Sequence, residues 1–519
     1  MTRPALVVLA LLAGCGEGGR ACEEPFVLYL DRDLDGYGDP NTASEACVLS
    51  DGWVSNAEDC DDRDDNIRPW FDDVCEDGID SDCDGFDPWC ADTIVGSDAV
   101  LPVRTSLASA GFAVAGRSDL NGDGLHDVVV GAPGWGGGLG RAYVAAGNLI
   151  GTRYIDLEGA TLYASFGMGV GTSVATVGDL DNDANPDVVV GAPDSSPVGA
   201  NEGLVYVAYG PMDAGETYNL DGSDSRYYGP PYGRAGHSVA SAGDVDDNGR
   251  REFLVGAPGS PGLSVGSVYI VTGSLVGIAP LELNADVLRG TSNTDLAGWS
   301  VDGDVDVNAD GLADVVVGAP GFAEGRGAAV VALAPFRPEM SILDAEIVLF
   351  GLEPGDNFGA AVGGVEDDDD DGYGDVLVAA PMAGPGTVSL YTDLWRGAGV
   401  PAPTATLRGE APDSLLGGSV CGLGDVDDDG ASDIGVSWPG YSGASGIGAA
   451  VVWRGPHLGT VLAVQAGQVI AGQNVGDAVM SVADAGDVQG DGIADLLVGA
   501  VGYDALYLDS GAAFVIRGR

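Results

Sequence analysis

Seven times between Asp119 and Asp495 the chain sets oxygen-bearing side chains at positions 1, 3, 5 and 9 of a nine-residue run. The first run carries Asp119, Asn121, Asp123 and Asp127, the second Asp179, Asp181, Asp183 and Asp187, and the third Asp244, Asp246, Asn248 and Glu252. The fourth carries Asp306, Asn308, Asp310 and Asp314, the fifth Asp367, Asp369, Asp371 and Asp375, and the sixth Asp425, Asp427, Asp429 and Asp433. The seventh carries Asp487, Gln489, Asp491 and Asp495. Side chains at alternate positions of a tight loop can converge on one point, and a carboxylate at position 9 closes the cage. Calcium, a hard cation that takes six to eight oxygens, suits such a set. Gly at position 6 permits the sharp turn in every run but the second, which has Ala184. The amide Asn248 and the long amide Gln489 mark the third and seventh runs as the weaker binders.

Two other readings compete. An EF-hand needs a bidentate Glu at position 12 and flanking helices. Position 12 is instead Val130, Val190, Val255, Val317, Val378, Val436 and Val498, inside apolar runs that read as buried strands. Metal-free turns would also use Asp, Asn and Gly. They do not need acids at all of these positions together, and carboxylates so crowded repel one another unless a cation neutralises them.

A further run with the same spacing, Asp31, Asp33, Asp35 and Asp39, opens an acidic stretch near the N-terminus. Six cysteines, Cys22, Cys47, Cys60, Cys75, Cys83 and Cys90, share that stretch. An even number in an exported segment suggests disulfides, with the pairing open. So small a segment has little core of its own and needs such staples or metal. Before it, Arg3 and the apolar run Ala5 to Ala13 lead into Leu12-Ala13-Gly14-Cys15, which resembles a bacterial lipobox. That resemblance implies cleavage before Cys15 and a lipid on its thiol. Residues 1–14 are then the signal peptide, 15–21 the lipidated Cys and a flexible tether, 22–92 the cysteine-rich module and 93–519 the repeat domain. Elsewhere no apolar run reaches the roughly 20 residues of a membrane span. Cys421 stands alone and is expected to be a buried free thiol.

The elements that must hold the seven loops recur with them, at steps of 58 to 65 residues. Each loop runs into an apolar stretch such as VVVGAP and then a Gly-led stretch such as GLVYVAYG or GSVYIVTG. Val, Tyr and Ile bounded by Gly and Pro spell strands. Each copy supplies about four, a sheet that cannot bury both faces alone but can in a ring. The last copy stops short of its fourth strand, while a spare run, Ala99 to Val103, precedes the first copy. This predicts an all-β, seven-bladed β-propeller closed by an N-terminal strand.

The recurring pattern, with Phe166-Gly167 and Phe358-Gly359 ahead of the acidic loop and VVGAP behind it, resembles the FG-GAP repeats of integrin alpha-subunit propellers and their bacterial relatives. The resemblance covers about residues 93 to 519 and implies calcium in the blade hairpin loops and, more loosely, an adhesive role. The acidic N-terminal stretch resembles the MopE-type metal-binding motif of bacterial surface proteins and, more distantly, thrombospondin type 3 repeats. About seven calcium ions are expected in the propeller and one or more in the N-terminal module.

Catalysis finds little support. The chain has no Lys, so all 21 of its basic residues are Arg, which excludes Schiff-base and P-loop chemistry. None of His126, His237 and His457 stands in a nucleophile motif. Asp221-Gly-Ser223-Asp-Ser225 matches a DxSxS metal motif by letter but has no βαβ context and reads as a polar loop. A formal charge of −59 repels nucleic acid and anionic lipid. The expectation is a non-enzymatic, calcium-binding lipoprotein of a bacterial cell envelope, at the outer membrane or cell surface. It touches the membrane through its lipid alone and binds a protein or glycan. The alternatives are a structural envelope or matrix component and a polysaccharide-active enzyme.

Overall fold

The computed structural model describes residues 97–519 apart from 166, 224, 261, 274–276, 370, 396–401, 412–413, 442–446, 475, 505–506 and 519. Upstream it describes residues 26–32, 37, 40–46 and 53–56. The chain divides into two compact units, residues 1–90 and 91–519.

The larger unit is a seven-bladed β-propeller. Blade one consists of Ala113–Ser118, Asp127–Ala132, Arg141–Ala145 and Ala160–Tyr163, antiparallel in that order. The next six blades begin at Ser173–Gly178, Ser238–Gly243, Ser300–Val305, Ala361–Val365, Val420–Gly424 and Val479–Gly486 and repeat the order. These first strands ring a central channel. The second strands, such as Asp127–Ala132 and Asp314–Ala319, are buried along their whole length. That is why they read as unbroken Val runs rather than alternating ones: each sheet is covered on both faces by its neighbours. Leu377, Val388 and Leu390 of blade five, for instance, pack on Ile434, Val436 and Trp438 of blade six. All seven position-12 valines lie in these second strands, as expected.

Closure follows the expected route. Ala99–Pro102 pairs antiparallel with Ala512–Ile516, with Val100 opposite Phe514, and supplies the missing fourth strand of blade seven. A second device was not foreseen from the sequence. In several blades the connection from third to fourth strand carries a short strand that pairs, in parallel, with the outer strand of the preceding blade. Thr217–Asn219 lies on Ala160–Tyr163, Gly277–Pro280 on Ser225–Tyr228, and Glu339–Ser341 on Asp286–Arg289. Gly459–Leu462 lies on Ala405–Arg408, and Gly151–Thr152 on Ala99–Pro102. These additions cover edges that would otherwise invite pairing with other chains.

The Gly of the VVVGAP runs has a packing cause. A Cβ on Gly131, Gly191, Gly256, Gly318 or Gly499 would collide with the carbonyl of Gly171, Gly236, Gly298, Gly359 or Gly111, the glycine that opens the next blade. Blades meet backbone to backbone there. Gly318→Ala is therefore expected to lower stability by about 1–3 kcal/mol through overpacking, read as a fall in the denaturant midpoint at unchanged slope.

The smaller unit contains Phe26–Leu30 paired antiparallel with Ser44–Ala46 and with Trp53–Val54. Asp31, buried, directly follows the first of these strands. Asp33, Asp35 and Asp39, the six candidate disulfide cysteines, Cys15 and the signal segment lie outside the described residues. No helix of the described residues is long and apolar enough to cross a membrane.

Candidate metal loops and the central channel

Each acidic run is the hairpin between a blade's first and second strands, so all seven lie at the same end of the propeller. The loop geometry repeats. The position-1 Asp folds back on its own loop: Asp119 Oδ1 accepts from Asp123 N (3.0 Å) and Oδ2 from Gly124 N (2.8 Å). Asp306, Asp367, Asp425 and Asp487 do the same with their own loops. The position-9 carboxylate begins the second strand and is buried in every copy. One of its oxygens accepts from the position-2 N–H, as in Leu120 N to Asp127 Oδ2 (2.8 Å) and Val426 N to Asp433 Oδ2 (3.1 Å). The other accepts from the hairpin after the third strand in five blades, through Gly147, Gly210, Ala334, Gly455 and Gly518.

Burial raises these carboxyls far above the ordinary Asp range, against the hydrogen bonds that lower them. Asp127, Asp187, Asp314, Asp495 and Glu252 are pushed up to about 7, and Asp433 to about 6. Asp375 rises furthest, to about 8. Its Oδ1 is buried with no hydrogen-bond partner, unlike the five position-9 carboxylates that accept a second N–H.

Four loops gather three carboxylates with oxygens within 4.8 Å of one another. They are Asp179, Asp181 and Asp187; Asp244, Asp246 and Glu252; Asp367, Asp369 and Asp371; and Asp425, Asp427 and Asp433. An all-oxygen, carboxylate-rich set of this kind fits a hard divalent cation. The unpartnered buried oxygens of Asp375 and Asp427 belong to two of these loops. The gathering of carboxylates does not follow the expected order of binding strength. The third loop, taken as weaker, is among the four, because Asp246 stands at position 3. The first, fourth and seventh loops are not among the described clusters, and each has an amide there. Asn121 donates to Asp123 Oδ2 (3.0 Å) and Asn308 to Asp310 Oδ2 (2.9 Å), while the Gln489 amide lies against the Asp495 carboxylate. An N–H donor inside the cage satisfies carboxylates that a cation would otherwise bridge.

The histidines take parts that no motif announced. His126 Nδ1 accepts from Asp487 N (2.9 Å), which joins the first loop to the seventh. His457 is buried between blades five and six, with Nδ1 2.7 Å from Asp368 Oδ1 and Nε2 2.9 Å from the carbonyl of Trp453. His237 packs on Trp299 at the channel mouth, with ring centroids 4.4 Å apart, and burial lowers its pKa to about 4. The Asp221 segment forms a short 3-10 turn in which Asp221 accepts from Ser165 N (2.6 Å), a structural role, as the sequence suggested.

The channel encloses about 1440 Å³. Near the loop end Arg117 pairs with Asp484 (3.2 Å) and Glu366 (3.1 Å) and ties blades one, five and seven together. Arg117 and Asp304 hold left-handed backbone where four other blades have Gly178, Gly243, Gly424 or Gly486 nearby, so bulges aim their side chains into the channel. Asp304 pairs there with Arg251. Cys421 is a free thiol lining this channel, half-buried rather than in the apolar core, and its pKa is raised by burial first and then by Asp484 and Asp302.

Fold and loops together define a propeller of FG-GAP repeats. A family model described as the FG-GAP repeat matches residues 110–145, 170–208 and 297–331. The chain is 28% identical to integrin alpha pat-2 of Caenorhabditis elegans over 228 residues, 40% of this chain and 18% of that protein. It is 33% identical to integrin alpha-IIb of Homo sapiens over 163 residues, 28% of this chain and 15% of that protein. The propeller is an integrin alpha-like FG-GAP propeller. The chain matches less than a fifth of the length of either relative. Among solved structures, BBS1N in complex with ARL6DN is similar at a TM-score of 0.41 and 11% identity, over 81% of this chain and 96% of that one.

Proposed function

We propose that this chain is a calcium-braced binding module of the cell surface, exported and lipid-anchored through Cys15, whose propeller presents one face to a protein or glycan ligand. The observation that carries this reading is the chemical contrast between the two ends of the channel. The loop end gathers carboxylate cages. The opposite end, where the first strands begin, exposes large apolar side chains around the channel mouth: Phe112 at 41%, Trp299 at 37%, Met480 at 39% and Met168 at 51%. Aromatic and Met side chains held open on a rigid rim are what a partner surface or a sugar ring packs against. His237, uncharged at neutral pH and packed at a tilt on Trp299, broadens that surface.

Calcium enters this reading as a brace. At the hairpins that gather three carboxylates, Asp179, Asp181 and Asp187 and their counterparts would hold the ion, which would offset their repulsion and keep the first and second strands of those blades in register. The chain's residues do the rest, and recognition falls to the far rim. Glycan-array and surface-protein screens with the full chain test this. Trp299→Ala and Phe112→Ala are each expected to weaken capture of a ligand found in this way by tenfold or more, as hot-spot truncations do, with an unchanged melting temperature. A ligand whose binding ignores both rim variants but falls with the loop variant Asp427→Asn would move the binding surface to the other face. Cleavage of a polysaccharide would favour an enzyme.

A further inference from the structure

Two blades carry a cation of their own beside the acidic loop. The residue after the third strand is Ala146, Tyr209, Thr272, Leu333 or Thr392 in blades one to five. In blades six and seven it is Arg454 and Arg517. Arg454 Nε lies 3.2 Å from Oδ2 of Asp427, the position-3 carboxylate of loop six. Arg517 Nε lies 3.5 Å from Oδ2 of Asp491, the position-5 carboxylate of loop seven. Asp427 is divided between two tasks. Its Oδ2 faces the arginine, while its Oδ1 is buried without a partner in the cluster that Asp425 and Asp433 complete.

We propose that Arg454 and Arg517 are built-in counter-cations that hold loops six and seven folded without metal and weaken their cation binding, so that metal dependence falls on the loops of blades two, three and five. The inference rests on the reading of the loops as divalent-cation sites. A guanidinium keeps its charge at every ordinary pH. Fixed on a ligand carboxylate, it offsets the repulsion among the loop acids before any ion arrives and opposes the ion when it comes. Blades two and five have Tyr209 and Thr392 at that step, neither of which brings a positive charge to their clusters of three carboxylates. Blade three has Thr272 at the same step, and Arg251 from its own loop is turned to Asp304 of blade four.

The test is calorimetric titration of the chelated full chain with Ca²⁺, paired with melting curves in chelator and in saturating Ca²⁺. Arg454→Met keeps an apolar stem and removes the charge. It is expected to tighten one site on the order of tenfold. It should melt below wild type in chelator and at or above wild type in Ca²⁺. Arg454→Lys should behave like wild type, and in an Asp427→Asn background Arg454→Met should no longer change affinity. Arg517→Met should repeat the pattern at loop seven. An Arg454→Met chain whose Ca²⁺ affinities match wild type, and which melts lower by the same amount in both media, would show that the arginine merely packs, and would overturn the proposal while leaving the metal reading intact. Failure of both wild type and Arg454→Met to take up Ca²⁺ would overturn the two together.

Discussion

Stripped of metal and then returned to millimolar Ca²⁺, the full chain is expected to unfold roughly ten degrees or more higher. A ligand that binds only the folded state adds about 2.7 kcal/mol per site at a hundredfold excess over its Kd. Even three filled loops, those of blades two, three and five, make a large sum. Mg²⁺ should do much less, because it demands tight octahedral geometry and sheds water reluctantly, whereas these flexible carboxylate loops suit the larger ion. The pH dependence has a definite sign. Burial raises Asp127, Asp187, Glu252, Asp314 and Asp495 to about 7 and Asp375 to about 8 in the folded chain. A folded-state value above the unfolded one means that the native chain holds protons the unfolded chain has lost. Their contribution is full below about pH 4 and is lost as pH rises through 7 to 8. In chelator, then, stability should fall from pH 5.5 to pH 8. With Ca²⁺ present the order should reverse, since the ion replaces those protons and binds better as they leave. Melting curves at the two pH values, with and without Ca²⁺, read both effects. A chelated chain indifferent to Ca²⁺ at pH 8 would mean that the loops are empty turns.

How much of this was legible beforehand depends on whether a feature repeats. Position 12 is Val in every copy, and the glycine that closes most of the valine runs returns again and again, so periodicity alone gave the strands, the blade number and the loop positions. The closing strand was legible as an absence, since the last copy lacked what Ala99 to Val103 could supply. The parallel additions such as Thr217–Asn219 were not, because they are two to four residues long and pair with a neighbouring blade rather than their own. Within the loops, the number of carboxylates does not decide which gather: the first, third and fourth copies each have three, yet only the third brings them together. What matters is whether position 3 is an acid that gathers with its neighbours, like Asp246, or an amide that donates to them, like Asn121. Arg454, Arg517 and the rim of the channel are departures from the repeat. They become visible only when the copies are laid side by side and the odd residue is asked what it touches.

His457 and Asp368 are the clearest such departure and carry the second large prediction. Position 2 of the acidic loop is Leu120, Leu180, Val245, Val307, Val426 or Val488 in six blades, an apolar side chain tucked under the hairpin. In blade five it is Asp368, whose partner is His457 of blade six at 2.7 Å, with side chains 3% and 0% exposed. Nε2 of the same ring faces the carbonyl of Trp453 at 2.9 Å. Two acceptors flank one imidazole, so both ring nitrogens donate when the pair is ionised. The ring also packs edge-on against Trp453, with centroids 4.7 Å apart. Removing one member leaves the other buried without its partner, and His457→Ala or His457→Leu is expected to destabilise the chain by about 3–5 kcal/mol. The repeats themselves supply the control. Asp368→Val with His457→Leu restores at position 2 what the other blades have, and it should recover most of the lost stability, since replacing both members of a buried pair by apolar groups is often neutral. Denaturant unfolding of wild type, the two single variants and the double variant closes the cycle. A double variant no more stable than His457→Leu would mean that the histidine acts through its packing on Trp453 and not through the carboxylate. Strong recovery would instead identify blade five's hairpin as one whose position-2 anchor is ionic, placed between two metal-ligand candidates, Asp367 and Asp369, and secured by the neighbouring blade.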